Sequence, residues 1–177
     1  MTASVWIAVI GGGLWSVTAD PPASQPTWRD DLASSQPARQ LVGLRHLADQ
    51  RGALEPPIAR LMELLRSDSE EVRLRSALVL GSLGRSAVAA LTAALADPNE
   101  GVRGYAAWAL GLSGNEAEAA VPALARLARD PQATVRRLAV ESLGRIAAQP
   151  EVAVPVLAEA LGDPSAEVRD AAVWALV

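Results

Sequence analysis

Hydrolysis by a nucleophilic triad needs a serine or cysteine, a histidine and a carboxylate brought to one place. This sequence has one histidine, His46, with Asp49 three residues on, and no cysteine. No nucleophile-elbow motif accompanies it, so His46 reads as a solvated side chain on a surface helix. Gly11-Gly12-Gly13 lacks a following Lys-Ser/Thr and is not a phosphate cradle. Asp30-Asp31 and Glu70-Glu71 are adjacent carboxylates, and neighbours on a helix point about a hundred degrees apart, too far for an acid–base pair. The expectation is no catalytic, cofactor-binding or metal-binding residue, and no cofactor. What remains is chemistry of recognition. Trp108 and Trp174 occupy the same place in two copies of a repeated pattern, where the other copies have Leu78 and Glu141. The glutamate shows that burial is not required there. Two readings stay open: each tryptophan packs at the core margin, or forms an exposed anchor extended by Tyr105 one turn away.

That pattern defines the elements. It runs DSEEVRLRSALVLGSLG from Asp68, DPNEGVRGYAAWALGLSG from Asp97, DPQATVRRLAVESLGRIA from Asp130 and DPSAEVRDAAVWALV from Asp163. The valines of its Val-Arg pairs, Val72, Val102, Val135 and Val168, are 30, 33 and 33 residues apart. A fixed period of that size means stacked supersecondary units. Four residues after each valine stand Ser76, Ala106, Ala139 and Ala172, and eight after stand Leu80, Leu110, Leu143 and Leu176. Offsets of 0, 4 and 8 share a helix face, so small residues mark close helix approach and leucine fills the core. Asp97, Asp130 and Asp163 precede prolines and read as N-caps with proline at the first helical position. Glu71 and Glu100 then close capping boxes with Asp68 and Asp97. Gly81, Gly111 and Gly144, then Gly84 and Gly114, bring these helices to their ends. A second helix in each unit carries Val88, Leu91 and Leu95, then Val121, Leu124 and Leu127, then Val154, Leu157 and Leu161, with Pro122 and Pro155 early in two of them. Before these units, Leu41, Leu44, Leu47 and Ala48 mark a helix from Pro37, ended by Gly52. Pro56-Pro57 opens another with Ile58, Leu61, Met62 and Leu65 inward, giving a degenerate first unit. The fold class is all-α: a right-handed α-solenoid of antiparallel helix pairs over residues 37–177, about four pairs plus a terminal helix.

Composition agrees. Half of the 177 residues are apolar but only 3% are aromatic, and phenylalanine is absent, so alanine, leucine and valine must build the core. All 16 basic side chains are arginine and the net charge is −4, which argues against a nucleic-acid partner. Ala3–Ala19 is uncharged, ends in Val17-Thr18-Ala19 and precedes a polar, proline-rich stretch. Residues 1–19 read as a cleaved signal peptide or an uncleaved apolar anchor, with an internal piece of a longer reading frame or a misplaced start as the alternatives. No lysine or arginine precedes the apolar run. Export or membrane tethering follows from the first two, a cytoplasmic protein from the others, and membrane contact only through an uncleaved segment. Residues 20–36, rich in Pro, Ser, Gln and Asp, read as a disordered linker.

The Asp-Pro start, the Val-Arg pair, the Leu-Gly helix end, and AAVPAL (Ala119–Leu124) with VAVPVL (Val152–Leu157) resemble HEAT repeats, similar to the short variety of phycobilisome lyase subunits. The resemblance implies a ladder of Asp97, Asp130 and Asp163 with Arg73, Arg103, Arg136 and Arg169, structural in role. It also implies a concave side lined by the second helices, with Arg60, Glu63, Thr92, Arg126, Arg129 and Glu159 outward. Candidate partner-binding residues are therefore Tyr105, Trp108, Trp174, Arg126, Arg129 and Glu159. The di-iron centre of HEAT-like deoxyhypusine hydroxylases needs paired His-Glu motifs, and none occurs here. The function expected is a non-catalytic scaffold for a protein partner. A subunit of a phycobilin-type chromophore lyase is the alternative, and a HEAT-like nucleic-acid glycosylase a distant one. The apolar last residues, Val173 to Val177, predict either a longer array cut short or self-association through the terminal helix.

Overall fold

The computed structural model describes residues 27–49 and 56–177. The Ala3–Ala19 segment and Gly52 lie outside the described residues. Ten α-helices run in chain order: α1 Trp28–Ala33, α2 Pro37–Asp49, α3 Ile58–Leu64, α4 Glu70–Ser82, α5 Arg85–Ala94, α6 Glu100–Leu112, α7 Val121–Leu127, α8 Ala133–Ile146, α9 Pro150–Ala160 and α10 Ala166–Ala175. A 3₁₀ helix, Gly114–Ala120, leads into α7. The described residues form an all-α stack of four helix pairs, α2/α3 to α8/α9, followed by α10.

The repeat arithmetic is visible in the core. Val72, Val102, Val135 and Val168, the small residues four on, and Leu80, Leu110 and Leu143 are all buried. Leu176 departs from this: it falls on the C-cap of α10 and is 40% exposed. In the second layer Val88, Leu91 and Leu95, and Val121, Leu124 and Leu127, are buried as the period requires. In α9 the inward residues are Ala153, Val156, Leu157 and Ala160, while Val154 (47%) and Leu161 (42%) are exposed. Pro155 lies inside α9 rather than near its start, because the helix already begins at Pro150.

The aspartates are not N-caps. The caps lie one residue after Asp68, at Ser69, and two residues after the Asp-Pro aspartates, at Asn99, Gln132 and Ser165, and the prolines sit in the turn before the helix. Each Asp-Pro aspartate instead accepts the backbone N–H two residues on: Asn99 N to Asp97 Oδ1 2.9 Å, Gln132 N to Asp130 Oδ1 2.9 Å, Ser165 N to Asp163 Oδ1 2.8 Å. That contact is an Asx turn, which competes with capping for the same oxygens. Glu71 and Glu100 therefore fall within the first turn of α4 and α6, with no capping box there.

Residues 27–33 correct the linker reading. Thr27 and Asp30 form a capping box, with Thr27 N to Asp30 Oδ2 at 2.8 Å. Leu32 is buried against α2. A Cβ on Gly43 would lie 2.9 Å from Leu32 Cγ and from the Trp28 carbonyl, so glycine there lets α1 seat. Arg39 holds Asp31 at 2.8 Å.

The glycines nine residues after each valine have a role other than ending helices. A Cβ on Gly81 would lie 2.8 Å from Leu112 Cβ, on Gly111 2.7 Å from Ser142 Oγ, and on Gly144 2.6 Å from Ala175 Cβ. These are contacts between successive Val-Arg helices, and they draw α4, α6, α8 and α10 into a tight layer. Helices α3, α5, α7 and α9 touch one another far less. In a curved stack the more closely spaced layer is the inner one. The Val-Arg helices therefore line the inner side, and the second helices, assigned there from the resemblance, form the outer layer.

The true stops stand three residues later, at Gly84 (φ +53°) and Gly114 (φ +56°). The third unit has Ala147 at that place, with φ +50° and a left-handed conformation. An L side chain there costs about 1 kcal/mol. Ala147→Gly is expected to raise stability by about 0.5–1 kcal/mol in urea denaturation. A loss of stability would contradict the strain.

Candidate interaction surface

Two rungs of the expected ladder form, and both are bidentate. Arg103 donates from Nε and Nη2 to Asp130 at 2.8 and 3.1 Å, and Arg136 likewise to Asp163 at 2.8 and 2.9 Å. Each arginine also donates from Nη1 to two carbonyls of its own turn: Arg103 to Asp97 and Pro98, Arg136 to Asp130 and Pro131. These groups are left over where one helix ends and the next has not begun, so one guanidinium closes a turn and ties it to the next unit. The ends of the ladder differ. Asp97 is held by Arg66, a residue the sequence reading passed over. Arg73 donates only to the carbonyls of Ser67 and Asp68, and its guanidinium lies 5.9 Å from the Tyr105 ring. Arg169 keeps only its bonds to the carbonyls of Asp163 and Pro164.

Hydrogen bonding from Arg136, helped by the backbone N–H of Ser165, holds the Asp163 carboxyl below its ordinary value; the same bond raises Arg136. A carboxylate with a depressed folded value contributes stability above its unfolded value, about 3.9, and loses that contribution as pH falls through the folded value. The wild-type melting temperature is expected to drop below about pH 4 more steeply than that of Asp163→Asn. Parallel curves for the two would contradict a stabilising rung.

The outer-layer candidates are largely occupied with one another. Arg129, in the turn after α7, pairs with Glu159 of α9, both solvent-exposed. Arg60 bridges to Glu63 and donates to the Leu32 carbonyl at 2.9 Å. Thr92 donates to the Val88 carbonyl within its own helix, and Arg126 is exposed. His46 is exposed on α2. Among the described residues no group of three or more His, Cys, Asp or Glu side chains is placed to hold a metal ion. No helix of the described residues is long and apolar enough to cross a membrane.

The inner layer brings Tyr105 and Trp108 together but not Trp174. Tyr105 and Trp108 are half-buried against the core and line a groove of about 490 Å³ across α4, α6 and α8. Trp108 packs on one side against the core margin and lines the groove on the other. Gly101 and Gly104 form the middle of the groove, where α4 carries Glu71 and Leu74 and α8 carries Thr134 and Arg137. The missing side chain at Gly104 lets Leu138 of α8 close over α6, where its Cδ1 would stand 3.2 Å from a Cβ. Leu74 and Leu138 flank the groove, and Glu70, Glu100 and Glu141 are the carboxylates around it. Glu141 is tied to Arg137. Trp174 is 81% exposed and lines a separate cleft of about 510 Å³ between α8 and α10, beside Glu167 and Asp170. The sequence reading missed Leu74, Leu138 and the carboxylates because it placed the inner face on the other helices. The visible signal was the Gly101/Gly104 pair, two glycines in a helix whose period did not need them.

The family of HEAT repeats matches residues 58–133 and, in an overlapping placement, 89–177. The chain belongs to the HEAT-repeat family. No curated protein sequence matches it. The fold of these HEAT repeats recurs in solved structures. The complex of CpcE and CpcF of phycocyanin lyase from Nostoc is similar over 91% of this chain and 68% of that one, at 24% identity and TM-score 0.61. A designed armadillo repeat protein in complex with the peptide (KR)4 is similar over 87% and 81%, at 23% identity and TM-score 0.57. Human deoxyhypusine hydroxylase is similar at 27% identity and TM-score 0.56, and this HEAT-repeat chain spans 55% of its length.

Proposed function

We propose that this HEAT-repeat chain is a non-catalytic protein-interaction scaffold and that its partner seats on the inner layer over α6. The observation that carries the reading is Trp108. A tryptophan held on one side by the core and lining a groove on the other is pre-organised and loses little freedom on binding. The outer layer, whose Arg129 and Glu159 already pair, offers less. The test is capture from the native cell with the wild-type chain, Trp108→Ala and Arg126→Ala as parallel baits. A partner retained by wild type and Arg126→Ala but lost with Trp108→Ala supports the inner face. Loss with Arg126→Ala alone places binding on the outer layer.

A second reading, a subunit of a phycobilin-type chromophore lyase, draws on likeness of fold to the CpcE–CpcF complex. Transfer of a bilin to an apo-phycobiliprotein by the purified chain would replace the scaffold reading. Export or tethering through residues 1–19 is part of the proposal, motivated by the apolar run to Ala19. N-terminal sequencing after expression in a host with a periplasm tests it, and a soluble cytosolic chain still starting at Met1 or Thr2 counts against it.

A further inference from the structure

The groove over α6 and the cleft beside α10 share a chemistry. In the first, Trp108 stands with Glu70 and Glu100; in the second, Trp174 stands with Glu167 and Asp170. None of these four carboxylates makes an ion pair among the described residues. Of the arginines at the two sites, Arg137 is tied to Glu141, Arg73 lies against the Tyr105 ring and is held by two backbone carbonyls, and Arg145, at the second, makes no ion pair among the described residues. Each site thus offers an aromatic face and a surplus of negative charge, two units apart on one layer. Aromatic faces attract cations through the ring quadrupole, and carboxylates beside them add direct Coulomb attraction.

Resting on the scaffold reading above, we propose that the inner layer binds an extended protein segment carrying two arginine or lysine side chains, one at Trp108 and one at Trp174. The separation follows from the stack. Two steps between packed helices are about 16–20 Å, at roughly 8–10 Å each. An extended chain advances about 3.3 Å per residue, so the two cations stand about five to six positions apart. Gly101 and Gly104 line the first site along α6.

The test uses the full chain and labelled Ser-Gly peptides in fluorescence titrations at low and moderate salt. One peptide carries two arginines six positions apart. Others carry them adjacent, or have citrulline or glutamate in their place. The six-position arginine peptide is expected to bind tightest and to weaken with salt. Trp108→Ala is expected to weaken it about tenfold, and Glu70→Gln with Glu100→Gln about threefold to tenfold. The glutamines are surface changes that leave packing alone, so they test the charge even if Trp108→Ala perturbs the fold. Equal binding of the citrulline peptide, or no effect of the glutamine pair, overturns the basic occupant. If the citrulline peptide binds and Trp108→Ala removes it, the scaffold reading stands while this one falls. Equal affinity for adjacent and six-position arginines overturns the two-site spacing.

Discussion

Gly111→Val is expected to lower the stability of the chain by about 2–4 kcal/mol, among the largest losses available from one uncharged substitution. The Cβ alone would stand 2.7 Å from Ser142 Oγ and 3.1 Å from Ser142 Cα and Cβ. The serine cannot swing aside freely. Its hydroxyl lies 2.8 Å from the Ala107 carbonyl of the facing helix and 2.7 Å from the Leu138 carbonyl of its own. A branched side chain must push α6 and α8 apart and break the cross-helix bond. Gly111→Ala sharpens the test, because alanine gains about 1 kcal/mol of helix propensity over glycine. A net loss with alanine shows that contact between units outweighs propensity. Equilibrium urea denaturation reads both. A gain with alanine would contradict the close approach, and with it the argument that the Val-Arg helices form the inner layer.

Arg136→Ala is expected to cost about 2–4 kcal/mol. The side chain is 16% exposed and its partner Asp163 10%, so the carboxylate left behind is only partly rehydrated. Two carbonyls, of Asp130 and Pro131, also lose their donor. Arg169→Ala serves as an internal comparison, since Arg169 makes only the carbonyl contacts; its cost is expected near 1 kcal/mol. Arg136→Lys should recover only part of the loss, because an ammonium cannot span both carboxylate oxygens and the turn together. Equal melting temperatures for wild type and Arg136→Ala would remove the rung from the account of stability.

What was legible in the sequence follows from what periodicity encodes. Val72, Leu80 and their equivalents recur at helical offsets, so the buried faces of the Val-Arg helices could be read directly. The Asp–Arg rungs followed from the family resemblance, and two of them form. The Asp-Pro turn was misread because an aspartate before a helix can serve either the first turn or its own loop. Only geometry shows that Asp97 bonds Asn99 N while Asn99 caps Val102 N at 3.2 Å. Helix α1 was missed although Thr27 and Asp30 spell its cap, because the surrounding Pro, Ser and Gln outweighed a six-residue signal. The layers were exchanged because the resemblance set the second helices on the concave side, while Gly81, Gly111 and Gly144 were read as helix stops and not as contact points. That choice depends on which helix lies opposite, which a period does not contain. It carried the candidate site with it: Tyr105 and Trp108 were named, while Leu74, Leu138, Glu70 and Glu100 around them were not.

The central claim is that the inner layer over α6 is where a partner seats. Site-specific photocrosslinking tests it most directly, with a photoreactive residue placed at Glu100 on the inner layer or at Arg126 on the outer layer of the otherwise intact chain, in the native cell. Both positions are exposed, so neither should disturb packing. The account predicts a discrete higher-mass adduct from position 100 that disappears with Trp108→Ala, and none from position 126. An adduct from position 126 alone would contradict it.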